Sequence, residues 1–152
     1  VDRRRSGIKG REIRRWVFAW APLIGYAALM FYFSSRSSLP KFLPSFYLSD
    51  KLMHGIEYAI FGALVFHAIQ DSPKPPETGK KVIILSILLV ILYGISDETH
   101  QYYVPNRDAS FYDLIADVVG GCVGIFAALS LKNRWNRERR LQNVHHEREG
   151  LP

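Results

Sequence analysis

The run WVFAWAPLIGYAALMFYF, residues 16–33, carries no charge over eighteen positions. That is close to the shortest length that crosses the hydrocarbon core of a bilayer. Three further apolar blocks follow, at about Leu52 to Ile69, Val82 to about Ile95, and about Phe111 to Leu131. A soluble domain would spread its 48% hydrophobic content along amphipathic stripes. Concentration into four blocks predicts an all-α integral membrane four-helix bundle, because lipid admits only structures whose backbone groups are bonded internally. The mean hydropathy of -0.03 averages these blocks with two hydrophilic ends. The chain therefore divides into a basic N-tail at 1–15, a membrane domain at 16–131 and a basic C-tail at 132–152.

A cleaved signal peptide competes for the first block. The block is long for one, and its aromatic end (Phe31, Tyr32, Phe33) lacks the small residues of a cleavage site. Trp16 and Trp20 read as interfacial anchors, as do Tyr102 and Tyr103. Residues 34–51 hold two prolines and several serines, and predict a loop with a short interfacial segment at Phe42 to Leu48. Residues 70–81, with three prolines, a glycine and three lysines, form a turn region. The C-tail is expected to start helical and then lose order.

Lysine and arginine set the expected topology. Sixteen of the 20 lie in the N-tail, the 70–81 loop and the C-tail, and four (Arg36, Lys41, Lys51, Arg107) lie in the two opposite loops. The positive-inside rule then places both termini in the cytoplasm. The net charge of +6 belongs to these flanks, which suits anionic headgroups; no feature beyond charge supports nucleic acid as a partner. A single cysteine, Cys122, excludes a disulfide framework and a cysteine metal site, and reads as a small packing residue.

The acids show the opposite asymmetry. Asp50, Glu57, Asp97, Glu98, Asp108, Asp113 and Asp117, seven of 14, fall in the two external loops or the spans beside them. His54, Glu57 and Tyr58 share a helix face at i, i+3 and i+4, which Phe61 continues. Asp113 and Asp117 are one turn apart, and Ala116, Gly120, Gly124 and Ala127 or Ala128 extend a small-residue stripe from their side. Such a stripe lets a neighbouring helix approach closely and turns both acids into the bundle. Asp97, Glu98 and Gln101 fall on a helical extension of the third span, closed by Pro105. Each ionisable group at mid-bilayer costs about 2.5–3.5 kcal/mol on insertion scales, so their retention implies pairing, hydration or function. Lys51 and Arg107 cannot face their sequence neighbours Asp50 and Asp108, and their partners are expected on other segments. His67 is expected to pair locally near the cytoplasmic end of its span.

These residues resemble a known family. DKLMHGIEYAIFGAL is similar to the K-x-x-H-x-x-x-Y-x-x-L-x-x-L signature of VanZ-like membrane proteins through Lys51, His54 and Tyr58, with Ala63 or Leu64 near the later apolar positions. SDETHQYYVPNRDASFYDLIADVVGGCVG resembles the D-E-x-x-Q-x-x-x-x-x-R-x-x-x-x-x-D-x-x-x-N-x-x-G block through Asp97, Glu98, Gln101, Arg107, Asp113 and Gly120. Ser34 and Ser35 resemble the serine pair that ends the family's first span. The resemblance covers about residues 16–131. One departure stands at Asp117, where the family often has asparagine; a charged Asp117 adds a carboxylate to the site or needs a cation such as Arg107. His67, His145 and His146 match nothing in the pattern.

The resemblance implies a multi-pass protein of a bacterial cytoplasmic membrane. It carries a link to glycopeptide, especially teicoplanin, resistance, and no settled reaction. The candidate site residues are His54, Glu57, Asp97, Glu98, Gln101, Arg107 and Asp113, expected to converge within one cavity. Three readings stay open. In one, acid–base groups act on a lipid-linked phosphate or sugar, with Arg107 as the phosphate fork. In another, His54, Glu57, Asp97, Glu98 and His100 hold a metal, although H-E-x-x-H is absent. In the third, the network is structural and the protein is a subunit of a larger membrane complex. The cofactor is left open.

Overall fold

The computed structural model describes residues 2–36, 47–107 and 109–149, with side chains for 10–36, 51–107 and 109–143. Four helices follow one another: α1 (Asp2–Ser34), α2 (Tyr47–Gln70), α3 (Gly79–Tyr102) and α4 (Phe111–Glu149). No strand occurs among the described residues. All four are long and apolar enough to span a membrane, over Gly10–Ser34, Lys51–Gln70, Gly79–Tyr102 and Phe111–Asn143. The all-α, four-span reading of the sequence is borne out. The expected interfacial segment at Phe42 to Leu48 falls largely outside the described residues, as do Asp108 and the side chains of Asp50, His145 and His146.

The helices overrun the apolar blocks. α1 begins at Asp2 and α4 reaches Glu149, where loss of order is expected. Hydropathy marks where lipid begins, whereas a helix ends where its backbone bonding ends. Residues 125–149 hold no glycine or proline and are rich in Leu, Lys, Arg, Glu and Gln, all good helix formers. The 39 residues of α4 extend about 58 Å, well beyond a hydrocarbon core of about 30 Å. Pro22 lies inside α1, where its missing N–H costs one backbone bond. Thr78 caps α3, its hydroxyl accepting from the Lys81 N–H at 3.3 Å.

α2 is the central helix. It supplies Tyr58, Phe61, Val65, Phe66, Ala68 and Ile69 to the buried core, joined by Leu23 and Met30 of α1, Val82 and Val90 of α3 and Ile125 of α4. Among the described residues α1 packs on α2 and α3 and not on α4. The outward faces are apolar, as lipid contact requires: Ile84, Leu88, Leu92 and Ile95 on α3, and Ile115, Val119, Val123 and Phe126 on α4 are all exposed. Trp16 is exposed as an interfacial anchor would be, and stacks on Trp20 at 5.2 Å. Trp20 itself packs against the core. Tyr102 and Tyr103 are exposed at the end of α3.

α2 and α4 run parallel and touch backbone to backbone. A methyl group at Gly120 would sit 2.8 Å from Gly55 Cα, one at Gly124 would sit 2.7 Å from the Ala59 carbonyl carbon, and one at Gly62 would sit 2.8 Å from Gly121 Cα. Real side chains do not tolerate such separations. The stripe expected on the fourth span is present, continued by partly buried Ala128 and not by exposed Ala127. Its counterpart on α2 is Gly55, Ala59 and Gly62. Gly121 serves a second neighbour: a methyl there would meet Val90 Cγ2 of α3 at 3.1 Å. Overpacking of this kind typically costs about 1–3 kcal/mol. Gly120→Val and Gly124→Val are therefore expected to destabilise the detergent-solubilised protein by at least about 2 kcal/mol each, read as a lowered thermal midpoint. Gly25→Ala, with open space around its new methyl, should leave the midpoint unchanged.

Candidate functional site

The parallel contact of α2 and α4 brings their polar ends level. On α2, Lys51, His54 and Tyr58 follow the inward face at helical spacing; on α4, Asp113 and Asp117 do the same. Two cross-links result. Lys51 Nζ pairs with Asp113 Oδ1, and His54 Nδ1 lies 2.9 Å from Asp117 Oδ1. Asp113 and Asp117 are 3% and 0% exposed, so both acids are turned into the bundle. Lys51 has its partner on another segment, and Asp117 pairs with His54 while Arg107, one cation that could have served it, bonds elsewhere.

α3 brings the third wall. Asp97, Glu98 and Gln101 lie at its last turns and are all buried. Gln101 Nε2 donates to Asp97 Oδ2 at 3.0 Å. Glu98 Oε2 accepts the Ser110 N–H at 2.9 Å. Ser110 in turn caps α4, its hydroxyl accepting from the Tyr112 N–H at 3.2 Å. Glu98 thus fixes the start of the helix that carries Asp113 and Asp117. Gly94, one turn earlier on α3, faces α4: a methyl there would sit 3.0 Å from Leu114 Cδ1 and in ordinary contact, at 3.6 Å, with Asp117 Oδ2 and Tyr58 Cε1.

Four buried oxygens in this region have no hydrogen-bond partner among the described residues: Asp97 Oδ1, Glu98 Oε1, Asp117 Oδ2 and Tyr58 Oη. A buried polar atom left unbonded costs about 1–3 kcal/mol, more when charged. His54, Glu98 and Asp117 can each turn one ligand atom to a common point, all three within 4.8 Å of one another. Of the groups the sequence suggested for a metal, His54 and Glu98 belong to this set. Asp117 takes the place of Glu57, Asp97 and His100.

Glu57 is half-buried at the edge of the cluster, within electrostatic range of His54, Asp97, Asp117 and Arg107. Its backbone carbonyl accepts the Tyr26 hydroxyl of α1 at 3.2 Å. Arg107 and His100 turn to α1. Arg107 Nε donates to the Arg36 carbonyl at 3.1 Å, and Arg107 Nη2 to the Phe33 carbonyl at 3.1 Å. Both carbonyls lie at the C-terminal end of α1, the Phe33 carbonyl also accepting the Arg36 N–H at 3.1 Å, and a cation suits that pole of the helix. The loop reaches this position through Asn106, which adopts a left-handed φ of 63°, a conformation asparagine tolerates. His100 stacks near Phe31 at 4.4 Å and lies 2.9 Å from Ser35 Oγ. Ser35 gives its one proton to the Phe31 carbonyl at 2.7 Å, so His100 Nε2 is the donor to it.

The structure thus brings His54, Asp97, Glu98, Gln101 and Asp113 to one place, with Glu57 at its edge, and sets Arg107 on α1. Lys51, Tyr58, Gly94 and Asp117 belong to the constellation beyond the seven candidates. Lys51 was readable in the helical spacing, three residues before His54; Gly94 gave no signal, because its role depends on what α4 presents to it. At the opposite end His67 pairs locally, Nδ1 to Asp71 Oδ2 at 2.9 Å, and Lys132 reaches Asp71 at 3.9 Å.

The Lys51–Asp113 pair is well shielded, with side chains 19% and 5% exposed. Removing one partner of such a pair leaves an uncompensated charge, at a cost of about 3–5 kcal/mol. Lys51→Met and Asp113→Asn singly are expected to lower stability strongly. The double variant should recover at least about 1 kcal/mol, measured as coupling in a double-mutant cycle of unfolding. Additive losses would show that the two groups do not interact.

Comparison with known proteins agrees with this architecture. No curated protein and no solved structure matches the chain. A family model described as VanZ/LLP1 matches residues 11–132, which take in the second and third spans, most of the first and fourth, and every residue of the polar constellation. The chain belongs to the VanZ/LLP1 family.

Proposed function

We propose that this multi-pass membrane protein lies in a bacterial cytoplasmic membrane with both termini in the cytoplasm and the polar cluster at the outer face. There it binds the head group of a lipid-linked, sugar- or phosphate-bearing envelope component. The orientation rests on the 16 basic residues flanking one end of the spans against four at the other. One observation carries the binding reading: α3 and α4 gather Asp97 Oδ1, Glu98 Oε1 and Asp117 Oδ2 as buried acceptors without donors among the described residues. Such acceptors suit a ligand rich in hydroxyl or amine donors. Lys51 and Arg107 supply positive charge at the same end, as a phosphate requires. His54, with Nδ1 held by Asp117, is the group best placed to move a proton in any processing step.

A second reading is favoured by the cross-links themselves. Lys51–Asp113 ties α2 to α4, and Arg107 ties the α3–α4 loop to α1. In that reading the network is structural, and the protein serves as a subunit of a larger membrane complex.

Two variants separate the readings. Asp97→Asn keeps the shape of the side chain and alters the acceptor set. It is expected to preserve the amount of inserted protein while weakening binding of a polyprenyl-linked sugar phosphate in nanodiscs by about tenfold or more, the worth of one hydrogen bond to a charged group. Given the family link, the same variant should shift teicoplanin susceptibility of the host. Arg107→Ala is expected to loosen α1, seen as faster backbone hydrogen exchange at residues 31–36. Failure of the wild-type protein to bind the probe, with a stoichiometric partner retained on gentle extraction, would overturn the headgroup reading in favour of the structural one.

A further inference from the structure

We propose that His54, Glu98 and Asp117 form a binding site for a divalent transition-metal ion, of the zinc or manganese class. The three residues come from α2, α3 and α4 and present ligand atoms within 4.8 Å of one another. All three are more than nine-tenths buried, at 8%, 9% and 0% exposure. Independently of their proximity, Asp117 Oδ2 and Glu98 Oε1 are buried oxygens with no hydrogen-bond partner among the described residues. Their other oxygens are already held, Asp117 Oδ1 by His54 and Glu98 Oε2 by the Ser110 N–H. Each carboxylate is therefore oriented by one oxygen and leaves the other to a cation, as in metal sites whose ligands are held from behind.

Charge points the same way. Five carboxylates, Glu57, Asp97, Glu98, Asp113 and Asp117, gather at this end of the bundle. Lys51 pairs with Asp113, and Arg107 is bonded to the α1 carbonyls. A divalent ion bound by two carboxylates and a neutral imidazole is electrically balanced, which buried acids at membrane depth require. Nitrogen and carboxylate donors together fit zinc or manganese better than calcium or magnesium, which take oxygen alone. Ligand atoms around a tetrahedral ion at about 2.0–2.2 Å stand roughly 3.4 Å apart. The ligand atoms, within 4.8 Å of one another, would draw together to that spacing on binding. Three protein ligands leave a fourth position for a head-group oxygen or a water.

As part of the headgroup site the inference rests on that reading, yet the two fail separately. Metal binding without affinity for the sugar phosphate leaves the ion site standing alone; affinity without metal removes the ion and keeps the headgroup.

The test uses the untagged protein in detergent, with His67, His145 and His146 replaced by glutamine so that His100 is the one histidine left besides His54. After EDTA treatment the protein is titrated with Zn2+, Mn2+ and Co2+, and retained metal is counted by mass spectrometry alongside the thermal midpoint. The expected result is one retained equivalent, a raised midpoint, and a visible d–d band with Co2+. Asp117→Asn and Glu98→Gln should each weaken retention at least about tenfold. No retained equivalent, no midpoint change and no Co2+ band in the parent protein would overturn the proposal. So would equal retention in both variants. The Co2+ spectrum needs no variant, so poor folding of either substitution does not blunt the test.

Discussion

The backbone contact between α2 and α4 governs the rest of this protein. Gly55, Ala59 and Gly62 against Gly120, Gly121 and Gly124 leave nothing larger than a methyl between the two backbones. In lipid, where apolar burial gives no net drive to association, such close packing is what holds two helices together. The same contact fixes their relative height. With Gly55 level with Gly120 and Ala59 with Gly124, Lys51 meets Asp113 and His54 meets Asp117. A slide of one turn along the seam would break both pairs and leave at most one basic group level with an acid. Packing and electrostatics therefore select one register, each making the alternatives of the other costly.

Much of this was legible in the sequence, for identifiable reasons. Hydropathy blocks reveal spans because the solvent imposes them, and all four appear. Helical spacing reveals which residues share a face, so the inward direction of Asp113 and Asp117 followed from their neighbours Ala116 and Gly120. What spacing cannot supply is the face a second helix offers in return. Asp117 was readable as a carboxylate needing a cation, yet the choice between Arg107 and His54 depended on the height of α2. Arg107 sits in a loop whose path turns on a left-handed Asn106, and no periodicity reports on such a turn. Helix ends were misjudged for a related reason: hydropathy records the lipid boundary, and the charged, helix-favouring run after Leu131 continues past it.

The cluster also has a division of labour. Gln101 donates to Asp97, Ser110 to Glu98, and His54 to or from Asp117, so every buried acid has at least one oxygen held. What remains is a set of acceptors pointing inward from α3 and α4. A purely structural network would tend to consume those acceptors as well, since each one left bare costs free energy.

α1 stands apart in how it is recognised. Tyr93 donates its hydroxyl to the Ala27 carbonyl at 2.7 Å, and Arg107 donates to the carbonyls of Phe33 and Arg36. These bonds end on main-chain oxygens, which any residue at positions 27, 33 and 36 would present. On the α2 side the docking uses side chains instead, with Tyr26 donating to the Glu57 carbonyl and Leu23 and Met30 entering the core. One edge of the first helix is thus read by its side chains and the other by its main chain, so the second edge can change its residues and keep its bonds while the first cannot.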